Sequence, residues 1–187
     1  MKLIRLLPVS VLACAAVPAF AQSDTWFGPE VGVFFPSSGK LRDALGNTWI
    51  SLGAGSTRFV QGEGRKFAWD WETMSQSKSG SKVFMGSVSY GLVSPFTAPK
   101  PYSISQGGTA FQPYYALRAG GSYIDYAVNV NGGRSSGKRL GLNANAELGV
   151  MFGDRLKVAA RYDLFPSHDG LNFSGLSLTA RYGLLRF

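Results

Sequence analysis

The stretch Leu140-Gly141-Leu142-Asn143-Ala144-Asn145-Ala146-Glu147-Leu148-Gly149-Val150-Met151-Phe152 places an apolar side chain at every even position from 140 to 152. Glycine, asparagine, glutamate and methionine fill the odd ones. A period of two held over this length describes a β-strand with one oily face, whereas a helix would scatter the same residues around its axis. Gly153-Asp154 breaks the run as a tight turn. Beyond it Leu156, Val158, Ala160, Tyr162 and Leu164 share one face, opposite Lys157, Ala159, Arg161 and Asp163, so the two runs form a hairpin.

The same pattern spreads in both directions. Pro166 to Gly170 is a loop, after which Leu176, Leu178, Ala180, Tyr182 and Leu184 alternate with Ser177, Thr179, Arg181 and Gly183. Upstream, Phe27, Pro29, Val31, Val33 and Phe35 alternate with Gly28, Glu30, Gly32 and Phe34, and Pro29 suits a strand end. Ser37 to Asn47 is a loop with room for a short helix. Ile50, Leu52 and Ala54 then oppose Trp49, Ser51, Gly53 and Gly55. Phe67, Trp69, Trp71 and Thr73 oppose Lys66, Ala68, Asp70 and Glu72, and Phe84 to Leu92 follows the rule after a turn at Ser77 to Ser81. Residues 97–110 are a long Pro, Ser and Gly connection. In the run from about 112 to 129, Tyr115, Leu117, Ala119 and Tyr123 oppose Tyr114, Arg118 and Ser122, but the phase slips near Asp125. A bulge there, or emergence from a membrane, accounts for the slip. Asn131 to Lys138 reads as an exposed loop.

Alternation alone also describes a soluble sandwich or a lipocalin-like barrel, so the polar face decides. Here it holds small residues with charges of both signs: Lys66 is one, and the ion-pair network sets Glu30, Asp70, Glu72, Glu147 and Asp163 against Lys157, Arg118, Arg161 and Arg181. Small residues and ion pairs fill a narrow lumen, whereas a water-facing sheet carries long Lys and Glu side chains. Strands of about ten residues tilted by about 45° span the apolar band of an outer membrane, and closure satisfies every backbone polar group there. Trp26, Phe27, Trp49, Trp69, Trp71, Tyr90, Tyr162 and Tyr182 lie toward strand ends, where rings favour the membrane interface. The expected fold is therefore all-β: an antiparallel up-and-down transmembrane barrel of about eight strands. Its oily face points outward, and its nine inward charges form an ion-pair network.

The N-terminus agrees with export. Met1, Lys2 and Arg5 precede an apolar core from Leu6 to Val17, and Ala19-Phe20-Ala21 presents the small residues of a cleavage site. Residues 1–21 thus read as a signal peptide and 22–187 as one barrel domain. Leu12-Ala13-Cys14 offers a competing lipoprotein reading. Cys14 is the only cysteine, so cleavage leaves no thiol or disulfide. Charged residues make up 16% of the chain, below the usual share of about 25%. Without Lys2 and Arg5 the excess stays basic, at 17 against 11. Nucleic acid is an unsuitable partner for an exported chain with no basic helix or zinc-finger spacing. Lys40, Arg42, Lys78, Lys82, Arg134, Lys138 and Arg139 belong to the end opposite the 153–154 turn, where phosphates of lipopolysaccharide and other outer-membrane lipids are natural neighbours.

With its signal peptide, alternating hairpins and final run from Leu176 to Phe187, the sequence resembles the small outer-membrane barrels of the OmpA- and OmpX-like type. The resemblance is architectural and identifies no activity, so the expected function is a structural, envelope or surface-interaction role. The resemblance implies that Tyr182, Leu185 and Phe187 form a C-terminal signal read by the barrel-assembly machinery. Leu185 and Phe187 are out of phase with Tyr182, Ala180 and Leu178 unless the strand bulges.

Catalysis is not expected. Ser167-His168-Asp169 contains the only histidine, but neighbours on one loop cannot aim at one another as nucleophile, base and orienter. Gly170 stands where barrel lipid A deacylases carry a serine. No metal spacing accompanies His168, and Gly62-Glu63-Gly64 and Gly120-Gly121 precede no helix that could cradle phosphate. No cofactor is expected. A lipid-modifying barrel enzyme, a narrow channel and a soluble periplasmic barrel with an apolar ligand are the competing functions.

Overall fold

The computed structural model describes residues 26–57, 65–96, 111–130, 133–153 and 155–186. The proposed signal peptide and its cleavage site, the 97–110 connection and Phe187 lie outside them.

Eight long strands close on themselves. They are β1 (Trp26–Pro36), β2 (Trp49–Thr57), β3 (Lys66–Lys78), β4 (Ser81–Pro95), β5 (Phe111–Val130), β6 (Gly133–Phe152), β7 (Leu156–Leu164) and, after a short excursion, β10 (Gly175–Tyr182). Each pairs antiparallel with its chain neighbour, and β10 returns to β1 from Pro36↔Gly175 to Glu30↔Arg181. Between β1 and β2 stands a two-turn helix, α1 (Gly39–Leu45). A mini-hairpin of β8 (Ser167–His168) and β9 (Leu171–Asn172) joins β7 to β10, and β11 (Leu185–Arg186) continues the last strand. Among the described residues no helix is long and apolar enough to cross a membrane.

The barrel is oily outside and polar inside. Leu142 is 85% exposed and Leu148 60%, while Asn143 and Asn145 between them are 5% and 6% exposed. Val31, Leu52, Phe67, Val88, Leu117, Val158 and Leu178 share the outer surface. Rings flank this band toward the end where β1 begins and β11 stops: Phe67 and Trp69 pack on Tyr90, Phe96 on Tyr115, and Phe111 on Phe152. Arg155 lies over the Trp26 ring at 4.3 Å.

The distal end is built the other way round. Phe34, Trp49, Met74, Met85, Ile124, Tyr126 and Val128 point inward from the strands and meet Leu41 and Leu45 of α1 and Phe165, Leu171 and Phe173 of the β7–β10 connection. Leu41 and Leu45 are one helical turn apart, so both fall on the face that plugs the barrel. Each fully buried leucine contributes roughly 1.5–3 kcal/mol.

Three details of the sequence reading change. There is no bulge near Asp125: β5 holds one register with β4 from Lys82↔Ala127 to Pro95↔Tyr114 and one with β6 along its whole length. The phase slips because the inward face itself turns from Arg118 and Ser122 to Ile124, Tyr126 and Val128 at the distal plug. Residues 133–138 are strand, because pairing of Val130↔Gly133 through Asp125↔Lys138 satisfies the backbone even where the side chains are polar. Trp49 is no interface ring. It is 1% exposed, packs on Phe34 at 5.5 Å and donates its indole N–H to the Gly46 carbonyl.

The last strand does bulge. From Glu30↔Arg181 to Phe27↔Leu185, β1 advances three residues while its partner advances four. The extra residue falls at Gly183-Leu184, whose amides bond to the Arg155 and Phe27 carbonyls. Leu184 and Leu185 consequently both face outward, and Leu185 regains the phase of Tyr182.

Candidate functional site: a buried ionic lumen

The alternation that turns leucines to the outside turns every second residue of each strand into a space about wide enough for side chains alone. Glu30 comes from β1, Asp70 and Glu72 from β3, Arg118 from β5, Glu147 from β6, Lys157, Arg161 and Asp163 from β7, and Arg181 from β10. All nine lie within the barrel, and none is more than 5% exposed.

Arg161 is the hub. Its Nη1 donates to Glu30 Oε1 at 3.2 Å and to Asp70 Oδ2 at 2.8 Å, its Nε lies 3.0 Å from Asp163 Oδ1, and its Nη2 pairs with Glu72. Arg181 Nη2 lies 2.7 Å from Glu30 Oε2 and also pairs with Asp70. Around Glu147 sits a second cluster, with Arg118 Nη1 at 3.2 Å, Lys157 Nζ at 2.9 Å and the Tyr114 hydroxyl donating at 2.7 Å. Lys157 reaches Glu30 at 3.7 Å and Arg118 reaches Asp70 at 3.9 Å, joining the two clusters. A buried charge is expensive unless paired and hydrogen-bonded, and here each carboxylate meets at least one cation.

Neutral groups complete the shell. Ser51 donates to Glu72 at 2.5 Å, Ser177 to Asp163 at 2.9 Å and Asn145 to Ser89 at 3.2 Å. Reading by charge passed over Tyr114, Ser51 and Ser177, although Tyr114 shares the parity of Arg118 on β5 and Ser177 that of Arg181 on β10; β2 holds no charged residue to mark Ser51. Gly55 leaves room for the Arg181–Asp70 pair: a Cβ there would crowd the Arg181 guanidinium and the Asp70 carboxylate. Toward the terminal end, Ala68, Val93, Tyr114, Ala116, Met151 and Ala159 form an apolar layer.

The sole histidine and its neighbours serve the distal lid. Asp169 and Gly170 adopt φ of +51° and +70°, as a two-residue hairpin turn requires. The Asp169 carboxylate accepts from the Tyr126 hydroxyl at 2.7 Å and from Ser135 at 3.0 Å, and these bonds hold its pKa below the usual value. His168 packs on Phe173. Lys40 donates to the Gly170 carbonyl, and Arg42 to the Pro36 and Ser37 carbonyls, so two of the distal cations tie the lid and helix down. Among the described residues no cluster of three potential metal ligands exists.

No protein-family model matches the sequence, and no curated protein matches it significantly. Solved structures do resemble the fold. Neisserial surface protein A (NspA) superposes with a TM-score of 0.56 at 15% identity, covering 87% of this chain and 98% of that one. Ail, the attachment invasion locus protein of Yersinia pestis, gives 0.51 at 14% identity, covering 88% and 100%. Its complex with the heparin analogue sucrose octasulfate gives 0.50 at 16% identity. With its closed ring of eight antiparallel strands, the chain has the fold of the small outer-membrane β-barrels.

Proposed function

We propose that this chain is an integral protein of the bacterial outer membrane, exported through a cleaved signal peptide. Its barrel is a non-catalytic anchor and its distal end a surface for interaction. The observation that carries this reading is the pairing of an apolar exterior with a charged, buried interior, an arrangement that hydrocarbon favours and water does not. The names of the similar proteins, a surface protein and an attachment protein, favour the same role.

The lumen supports anchoring over conduction, because its charges are spent on one another. The geometry of Ser167, His168 and Asp169 supports a structural turn over a hydrolase, since Asp169 serves Tyr126 and Ser135. During biogenesis Tyr182, Leu185 and Phe187 are the residues offered to the barrel-assembly machinery. Membrane lipids, including lipopolysaccharide, are the partners at the distal cations.

Fractionation combined with unboiled gel electrophoresis tests the reading. The expected protein stays with outer membranes and migrates differently before and after heating. A chain found soluble in the periplasm sinks the proposal. Steady single-channel currents from the folded protein would instead favour a pore, and a mass change in lipid A on expression would favour an enzyme.

A further inference from the structure

The nine buried charges of the lumen do not sum to zero. Five are carboxylates, Glu30, Asp70, Glu72, Glu147 and Asp163, and four are cations, Arg118, Lys157, Arg161 and Arg181. Apolar layers bound this chamber on both sides: the distal plug around Phe34, Met74 and Ile124, and the terminal layer around Ala68, Tyr114 and Met151. Lys66 shares a strand face with Glu72 but stands beyond Ala68, about 20 Å away along β3 at about 3.3 Å per residue. An uncompensated charge between two apolar layers is expensive, so a fifth positive charge belongs inside.

The contacts locate the deficit. Arg118 and Lys157 serve Glu147, and Arg181 serves Glu30 and Asp70, which Lys157 and Arg118 also reach. Those three acids thus have three cations. Among the described residues Glu72 and Asp163 meet only Arg161, whose Nη1 also reaches the other three acids. Nε and Nη2 form one edge of a guanidinium, the edge that grips both oxygens of a single carboxylate in a bidentate pair. Here Nε lies 3.0 Å from Asp163 Oδ1 while Nη2 meets Glu72 Oε2, so two carboxylates crowd the place of one. When like charges share a site in this way, one of them keeps its proton. The donors decide which. Asp163 accepts from Arg161 Nε and from the Ser177 hydroxyl, surroundings that suit an ion. Glu72 is bonded at 2.5 Å to the neutral Ser51, and Arg161 Nη2 makes no aligned hydrogen bond to it.

We propose that Glu72 is a proton-binding site: it stays a neutral carboxylic acid at neutral pH and shares its proton with the Asp163 carboxylate on the same edge of Arg161. The proton brings the lumen to zero net charge. The barrel therefore takes up one proton as it folds. An unfolded glutamate ionises near about pH 4.3, so the neutral Glu72 contributes its full stability below that value. The contribution declines as the pH rises and is gone once the folded barrel releases the proton. Glu30 and Asp70, held at Nη1 of the same guanidinium, act against ionisation of Glu72 from the β1 and β3 sides, as Asp163 does from β7.

Infrared spectroscopy of the folded protein in detergent at about pH 7 reads the proton directly, through the carbonyl stretch of a protonated carboxylic acid, a band that ionised carboxylates lack. One such band is expected. Glu72→Gln keeps the shape of the neutral acid, so it should fold, judged by heat-modifiable migration, and lose the band. Asp163→Asn should lose it too, because Glu72 then has that edge of Arg161 to itself and ionises. In urea unfolding, the folding constant of the wild type relative to Glu72→Gln should fall about tenfold per pH unit between about pH 5 and pH 7, where the folded state holds one proton more than the unfolded. Absence of the band from the wild type overturns the proposal, and so does its survival in Glu72→Gln or Asp163→Asn. A Glu72→Gln chain that no longer folds overturns it as well, as does the same pH dependence in both proteins. A sodium ion as the fifth positive charge would give no band and a stability that follows sodium concentration at constant ionic strength, and would replace the proton in this account.

Discussion

The middle of the barrel and its distal mouth bury side chains by opposite rules. In the middle, Leu117, Leu148 and Val158 face out while Arg161 and five carboxylates are enclosed. At the mouth, Ile124, Tyr126 and Val128 of the same strand β5 face in, against Leu41, Leu45 and Phe173, and polar residues such as Asp125 and Asn129 face out. The backbone register does not change between the two. On the outer-membrane reading proposed above, what changes is the solvent, and side-chain polarity follows it. The middle coheres through directional pairs with specific partners, whereas the mouth coheres through packing, which tolerates local exchange but not voids.

The comparison breaks hardest at Arg161. Replacing it by Met leaves Glu30, Asp70, Glu72 and Asp163 without their shared cation, and a loss of about 3–5 kcal/mol is expected, measured as a shift of the urea midpoint of gel mobility. Adding Glu72→Gln to that variant should restore part of the loss. A wild-type midpoint in Arg161→Met would show that the lumen is held by its strands and not by its charges. At the mouth, Phe173→Ala should cost about 3–4 kcal/mol of local packing, seen as faster amide exchange in α1 and residues 165–174 with exchange in β6 and β7 unchanged. Should exchange rise equally everywhere, mouth and middle are one cooperative unit and the contrast dissolves.

Tyr126→Phe gives a smaller effect by removing one hydrogen bond to Asp169, and should loosen the mini-hairpin while leaving the plug packed. The same contact responds to acid. Because bonding holds the Asp169 carboxylate below its usual range, its contribution is fully present above about pH 3.9, the unfolded value, and fades as the pH falls through the lower folded value. Exchange at Leu171 should therefore be flat between neutrality and pH 5 and rise only below the usual carboxylate range. A rise already complete by pH 5 would refute this assignment. The smallest change is expected for Lys138→Ala, an exposed pair with Asp125 worth about 0.5 kcal/mol or less. A larger loss in lipid-free detergent would mean that this pair braces the β5–β6 hairpin.

How much could be read in advance follows the same division. Alternation from Leu140 to Phe152 carries its own parity, and that parity turns Glu147 inward together with Asn143 and Asn145, so the barrel and the membership of its lumen were legible from single strands. The pairing of Arg161 with acids from β1, β3 and β7 was not, because it depends on which strands face one another across the closed ring. The mouth was harder still. Trp49 and Phe34 look like any aromatic residues at strand ends, and only α1 and the Phe165–Phe173 segment, folding back over them, make them core. The slip at Asp125 was visible but two causes explained it equally well, and the uninterrupted ladder removed the bulge. At Gly183-Leu184 the reverse holds: the misfit of Leu185 marked a bulge that the register then located.

The placement of Glu30 on the first strand and Arg181 on the last bears on how the barrel is made. While the sheet is an open ribbon, these two residues lie at opposite margins, and of its four acids Arg161 keeps only Asp163, on its own strand. Entry of such a ribbon into lipid would carry unmatched ions into a medium that charges several kcal/mol for each. Curling and insertion are therefore expected to advance together, with the first and last strands meeting as water leaves the interior. Kinetic cross-linking of Val31 to Ala180, followed alongside solvent accessibility at Asp70, should show the two events rising on one time course, and dehydration well ahead of cross-linking would refute the coupling.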